Sequence, residues 1–255
     1  MRKKIAAVFL VVSLCTGSQV LAQEHEQEHE HGHVHWGYTG HEGPEHWGGL
    51  AEPFSACKDG RNQSPIDIVP NLDADLSPLT ITYIPGGSEI INNGHSIQVN
   101  YTAGSTLTLD GQVFELKQFH FHTPSENTIN GESFPMEAHF VHADKDGNLA
   151  VLALMFKEGT ANKELAKAWA QMPQAVGGQE SLHQTVDAAA LLPANQGYYR
   201  FNGSLTTPPC SEGVHWIVLK ESAQASKEQI AQFSKVIGVP NNRPVQPVNA
   251  RIVVE

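Results

Sequence analysis

The sequence predicts a mainly β, single-domain fold, a large, mostly antiparallel twisted sheet with helices at its periphery. Three observations carry this. Several runs alternate apolar and polar side chains with the period of a half-buried strand. Only two stretches repeat apolar residues at helical spacing. No Pro/Gly/Ser-rich linker interrupts the middle of the 255 residues, so a single core is expected.

The chain opens on "MRKKIAAVFLVVSLCTGSQVLAQ". Arg2, Lys3 and Lys4 are basic, Ile5 to Leu14 are a short apolar run, and Val20 and Ala22 suit a cleavage site before Gln23. Residues 1–22 therefore read as a secretory signal peptide, with no stable membrane anchor after cleavage and a periplasmic or secreted product. A retained anchor is the alternative. Lipid attachment at Cys15 is opposed by Leu14, a poor match to such a site. Residues 23–34 form a His/Glu-rich tail that overlaps "EHEQEHEHGHVH" (24–35), too polar to build a core. Weak metal binding and a plain solvated spacer are both open for it. The folded domain is expected over 35–255, where Trp36, Tyr38 and Trp47 bring the first apolar bulk.

Strands are expected at "LTITY" (79–83), "SIQVNY" (96–101), "FELKQFHFH" (114–122), "MEAHFVHA" (136–143) and "VHWIVLK" (214–220). "LAVLALMF" (149–156) is apolar on both faces, as a central strand is. In "ANKELAKAWAQM" a helix places Leu165, Trp169 and Met172 on one face and stops at Pro173. A second helix begins with a capping box, Ser226 and Gln229. It carries Ile230, Phe233 and Ile237 inward and ends at Gly238.

The formal net charge is −11, and loss of three cationic residues with the signal makes it −14. Lys and Arg form no stripe, which excludes nucleic acid as a partner. Removing Cys15 leaves Cys57 and Cys210. In an exported protein one disulfide is the simplest reading, and two free buried thiols are the alternative.

The stretch "KQFHFHTPSE" raises the functional question. On a strand, Gln118, His120 and His122 share one face, and Phe119 and Phe121 take the other. By the same rule Glu137, His139 and Val141 share a face, and His142 points away. Pairing of the two strands would bring three imidazoles together. Three neutral histidines and a water are the ligand set of a catalytic zinc. Such imidazoles need their other N–H held by an acceptor, and Gln118 and Glu137 each stand two residues before a histidine.

The chain resembles the α-class carbonic anhydrases, most closely the exported bacterial members. The resemblance runs from about His35 to Arg251, through "HWGYTGHEGPEHW", "RNQSPIDI", "NNGHSIQVN", "QFHFHTPSE", "EAHFVH", "GSLTTPPCSEGVHWIVL" and "NRPVQPVNAR". It implies a zinc lyase that interconverts carbon dioxide and bicarbonate, with His120, His122 and His139 as ligands. Thr206 would accept a hydrogen bond from the zinc-bound hydroxide and donate its own proton to Glu126, which as a carboxylate only accepts. The apolar pocket for carbon dioxide falls on Val141, Val151, Leu205 and Trp216, with Thr207 beside the bicarbonate. His95 matches the proton shuttle, and Tyr38, Asn93 and Gln98 match the residues that order the connecting waters. The backbone carbonyl of Asn241 would orient His122, and Cys57 and Cys210 would be bridged. Homodimerisation is implied by the resemblance alone. Thr123 and Asn127 depart from the family pattern, which has tryptophan and histidine there in many members, and leave the surroundings of Glu126 open. An inactive zinc- or carbohydrate-binding scaffold and a zinc reservoir built on the tail are the competing readings. Retention of all three ligands speaks against the first.

Overall fold

The most apolar run of the chain forms the strand Leu149–Glu158, and it lies inside the sheet. Ala150, Leu152, Leu154 and Phe156 join one buried cluster, while Val151, Ala153 and Met155 join another. A strand with apolar residues on both faces can be satisfied only between two cores. In this computed structural model, which describes residues 34–255, that arrangement organises the domain. The expected signal peptide and almost all of the tail lie outside the described residues.

Eleven strands form one sheet, accompanied by a two-stranded parallel pair, Asp67–Ile68 with Thr128–Ile129. Antiparallel pairing dominates, as expected, and links Gly87–Asn92, Ile97–Tyr101, Gln112–His122, Met136–Ala143 and Leu149–Glu158 in succession. Beyond Leu149–Glu158 the pairing becomes parallel, with Glu212–Leu219 and with Ala223–Ala225. The sheet is therefore mixed. The helices Lys163–Trp169 and Lys227–Ile237 contribute Leu165, Trp169 and Phe233 to the first core.

The second helix begins with the expected capping box and ends at Gly238 with φ 79°, where a residue without Cβ is favoured. The first is shorter than expected. Asn162 caps its start, and it ends at Trp169 rather than at Pro173. Single turn bonds carry the chain onward, and Met172 is still buried. "LTITY" also shortens, to Thr80–Thr82.

Cys57, in the short helix Ala56–Asp59, is bonded to Cys210 across 153 residues. A structural cross-link of this kind belongs to proteins that fold outside the reducing cytoplasm. Reduction is expected to cost about 2–4 kcal/mol and lower the melting temperature. Peptide mapping without reductant should recover the two cysteines as one linked pair. Two alkylatable thiols in the purified, unreduced protein would refute this.

Candidate metal centre

Strand alternation delivers the histidines, and register makes them meet. Gln112–His122 and Met136–Ala143 pair so that His120 stands opposite His139, His122 opposite Glu137, and Gln118 opposite Val141. The register shifts between Leu116 and Gln118. Lys117 is the extra residue of a β-bulge, and it reverses which parity faces inward. Phe114 and Leu116 before it, and Phe119 and Phe121 after it, all lie in the first core. The polar parity after the bulge, His120 and His122, is thereby turned to the opposite face. His142 lies on the core side, as alternation requires, where its Nε2 is 2.6 Å from the Tyr83 hydroxyl. Burial lowers its pKa to about 4.

Each of the three site histidines has one ring nitrogen occupied. Nδ1 of His120 donates to Gln118 Oε1 at 2.9 Å, and Nδ1 of His122 donates to the Asn241 carbonyl at 2.7 Å. Nε2 of His139 donates to Glu137 Oε1 at 2.9 Å. The acceptors fix the tautomers, so the lone pairs fall on His120 Nε2, His122 Nε2 and His139 Nδ1. The three rings can offer one nitrogen each within 4.8 Å of one another. Nε2 of His122 is buried with no hydrogen-bond partner among the described residues. Burial, first among the causes, lowers all three imidazoles and keeps them neutral, the form that ligates. A buried donor atom with nothing to bind, beside two others aimed at the same point, fits a metal ion.

Glu137 is buried and its pKa is raised by burial. Besides His139 it accepts from the backbone N–H groups of Glu126 and Asn127 and from Asn127 Nδ2, at 2.7–2.9 Å. Asn127, one of the two departures that left the surroundings of Glu126 open, therefore holds the acceptor behind His139. It also accepts from the Ile66 backbone N–H at 3.1 Å. Thr123 spends its hydroxyl on the Pro135 carbonyl at 2.9 Å, away from the site.

Glu126 is buried, which pushes its carboxyl up to about 8. Its Oε1 accepts from the Arg243 backbone N–H at 2.8 Å. Its Oε2 lies 3.5 Å from His122 Nε2 and has no hydrogen-bond partner at ordinary geometry among the described residues. The Thr206 hydroxyl pulls the Glu126 carboxyl down, against the larger effect of burial. Val141, Val151, Leu205 and Trp216 pack together on this face of the sheet. The Trp216 ring meets His139 edge-on at 4.9 Å. Thr207, half-buried, follows Thr206 on the same loop.

His95 is half-buried, and its ring stacks on Trp36 with centroids 3.6 Å apart. Burial, then the neighbouring His35, lowers its pKa. The three residues expected along the proton route differ in how free they are. The Tyr38 hydroxyl is buried and unpartnered among the described residues, and the Gln98 amide donates to Asn100 at 2.7 Å. Oδ1 of Asn93 is committed to the backbone N–H groups of His95 and Ser96. A surface cavity of about 770 Å³, lined by Val113, Lys117 and Asp144 among others, contains none of the site residues.

The family model for eukaryotic-type carbonic anhydrase matches residues 42–255. The chain belongs to the carbonic anhydrase family. A carbonic anhydrase of Pectobacterium carotovorum is 55% identical over 221 residues, 87% of this chain and 91% of that protein. Among solved structures, a hyperthermostable carbonic anhydrase from an active hydrothermal vent chimney is 55% identical. That match covers 87% of this chain and 99% of the other, with a TM-score of 0.85. The α-carbonic anhydrase of Thermovibrio ammonificans, solved with the inhibitor sulfanilamide, is 52% identical and covers 88% of this chain and 100% of its own, with a TM-score of 0.86. The protein is accordingly an enzyme of the carbonic anhydrase type with a three-histidine site able to hold a metal.

Reading the residues one by one missed Arg243. It lies inside a quoted family motif, but nothing in its local pattern signals a buried cation whose backbone N–H reaches Glu126.

Proposed function

We propose that this chain hydrates carbon dioxide reversibly to bicarbonate and a proton, with zinc held by His120, His122 and His139. The convergence of three neutral imidazoles, each with its other nitrogen held, is the observation that carries this reading. A zinc ion there supplies Lewis acidity that makes water available as hydroxide near neutral pH, an effect for which carbonic anhydrase is itself the standard example.

The chain's own residues account for the rest. Gln118, Glu137 and the Asn241 carbonyl hold the rings in the ligating tautomer. Glu126, accepting from Thr206, leaves the Thr206 oxygen only its lone pairs to offer, which sets the orientation of the attacking oxygen. Val141, Val151, Leu205 and Trp216 give an apolar berth to an apolar substrate, and Thr207 meets the polar product. His95 carries the proton outward, past Tyr38, Asn93 and Gln98. Export of the chain after removal of residues 1–22 fits the cross-linked cysteines.

Metal analysis combined with a hydration assay, before and after chelation, tests the reading. One tightly held zinc per chain and activity that returns with added zinc are expected. Several weakly held metals, or activity indifferent to chelation, would overturn it.

His95→Ala is expected to lower kcat about tenfold in poor buffer, roughly 1.4 kcal/mol, and to leave kcat/KM nearly unchanged. Small imidazole buffers should restore part of the loss. An equal fall in both constants without rescue would make His95 a support of the site instead.

A further inference from the structure

Glu126 has two oxygens, and the proposed chemistry uses one of them. The backbone N–H of Arg243 holds Oε1 at 2.8 Å, and Oε2 has no hydrogen-bond partner among the described residues. That N–H sits in residues 241–248, where the chain forms neither helix nor strand. No ladder fixes its direction: backbone bonds hold Asn241 N–H to the Thr123 carbonyl at 3.2 Å and Gln246 N–H to the Pro65 carbonyl at 2.8 Å, and between them the Arg243 side chain makes the remaining contacts.

Asn241 secures the start of the segment. Its Oδ1 accepts from Thr123 N–H at 2.8 Å and its Nδ2 donates to the Phe121 carbonyl at 2.9 Å. Two residues on, the Arg243 side chain is 2% exposed. Its guanidinium donates to Gln63 Oε1 at 2.9 Å, to the Ser64 carbonyl at 2.8 Å and to the Cys57 carbonyl at 2.9 Å. It also lies 5.7 Å from the centre of the Trp47 ring. All three acceptors are neutral. Burying a guanidinium against neutral groups is costly, and an apolar side chain would fill the space more cheaply. An apolar side chain could not hold three acceptors at three points of the wall. The rigid fork of an arginine can.

We propose that Arg243 is a positioning residue for the reaction. By locking its own backbone to the 57–64 wall, it aims the N–H that clamps Glu126 Oε1 and so presents Oε2 towards Thr206. Two of its anchors bear on the cross-link: the Cys57 carbonyl directly, and Gln63, whose Nε2 donates to the Cys210 carbonyl at 3.0 Å. The inference rests on the Thr206–Glu126 pairing proposed above.

Its test compares two anions in the zinc-loaded protein. Sulfanilamide carries a sulfonamide N–H that the Thr206 oxygen can accept, whereas thiocyanate has no hydrogen to donate. In Arg243→Lys and Arg243→Met, sulfanilamide affinity is expected to fall about tenfold, the loss of one well-made hydrogen bond, with thiocyanate affinity and zinc content unchanged. Gln63→Met, which removes one acceptor of the fork, should give a smaller shift in the same direction and serves if the arginine variants do not fold. Glu126→Gln separates the two levels of the argument. If it shifts the ratio of affinities while the Arg243 and Gln63 variants do not, the positioning role is refuted alone. If Glu126→Gln leaves the ratio unchanged, the pairing beneath it is refuted as well. A parallel loss of both anions in the Arg243 variants would mark a merely structural residue and would also refute the proposal.

Discussion

His139→Ala is expected to release zinc and abolish carbon dioxide hydration, while His142→Ala keeps both. The two histidines are three residues apart on one strand, and the sheet sends them to opposite faces. Removing His139 takes away one of the three nitrogens that converge within 4.8 Å. It also strips Glu137 of the imidazole donor at 2.9 Å. Loss of a group that merely supports a ligand costs about 10–100-fold in metal affinity, so loss of the ligand itself should exceed that range. His142 instead bonds Tyr83 and, at 3.2 Å, the Ala150 carbonyl. Its removal should cost about 1–3 kcal/mol of stability by leaving buried polar groups unpaired, with the metal in place. Zinc content after dialysis against a chelator, measured beside thermal melting, distinguishes the two. Comparable zinc loss in both variants would contradict the assignment of faces.

Thr206→Ala is expected to retain zinc and lose about 100-fold in kcat/KM, roughly 2.7 kcal/mol, the scale of one missing preorganised hydrogen bond at a reacting oxygen. The cause is orientation. Glu126 Oε1 is held by the Arg243 N–H at 2.8 Å, and Oε2, without a hydrogen-bond partner among the described residues, is the oxygen proposed to accept from the threonine. Glu126→Gln should resemble Thr206→Ala, because an amide could donate where only acceptance is useful. Thr206→Ser keeps the hydroxyl and should keep most of the rate. A Thr206→Ala enzyme with full activity would remove the pair from the mechanism.

Much of this architecture is legible in the chain because it rests on period and register. Alternation alone separates His139 from His142 and pairs Gln118 with His120 two residues on. A run apolar on both faces marks the strand between two cores. What period cannot reveal is contact made by irregular backbone. The Asn241 carbonyl reaches His122 across 119 residues, and the Arg243 N–H reaches Glu126 across 117. No pattern in either local sequence encodes the meeting. Resemblance supplied Asn241, and only the structure supplied Arg243. Asn127 reads from sequence as a departure of open effect, whereas in the fold it meets Ile66 and Glu137 together. The turn to parallel pairing beyond Leu149–Glu158 is equally hidden, since a parallel and an antiparallel neighbour ask for the same apolar side chains.

The bulge at Lys117 bears on how such an enzyme can change over generations. Side chains of Gln112–His122 face inward as Phe114 and Leu116, then as Phe119 and Phe121, and one surplus residue accounts for the change of phase. Deleting that single codon would remove the bulge and leave an unbroken alternation, with the phenyl rings still inward and the histidines still on the other face. A one-residue insertion beside it, with the amino-terminal half held in place, would instead turn the two imidazoles into the apolar layer and the two phenyl rings into the cavity. Exchanging Lys117 for another exposed residue leaves the phase intact. The lineage can therefore vary this position freely by substitution and can lose it without moving a ligand to the wrong face, whereas a residue gained beside it would misplace both histidines. Loss and gain of a residue, so often interchangeable in surface loops, have opposite consequences at this one site.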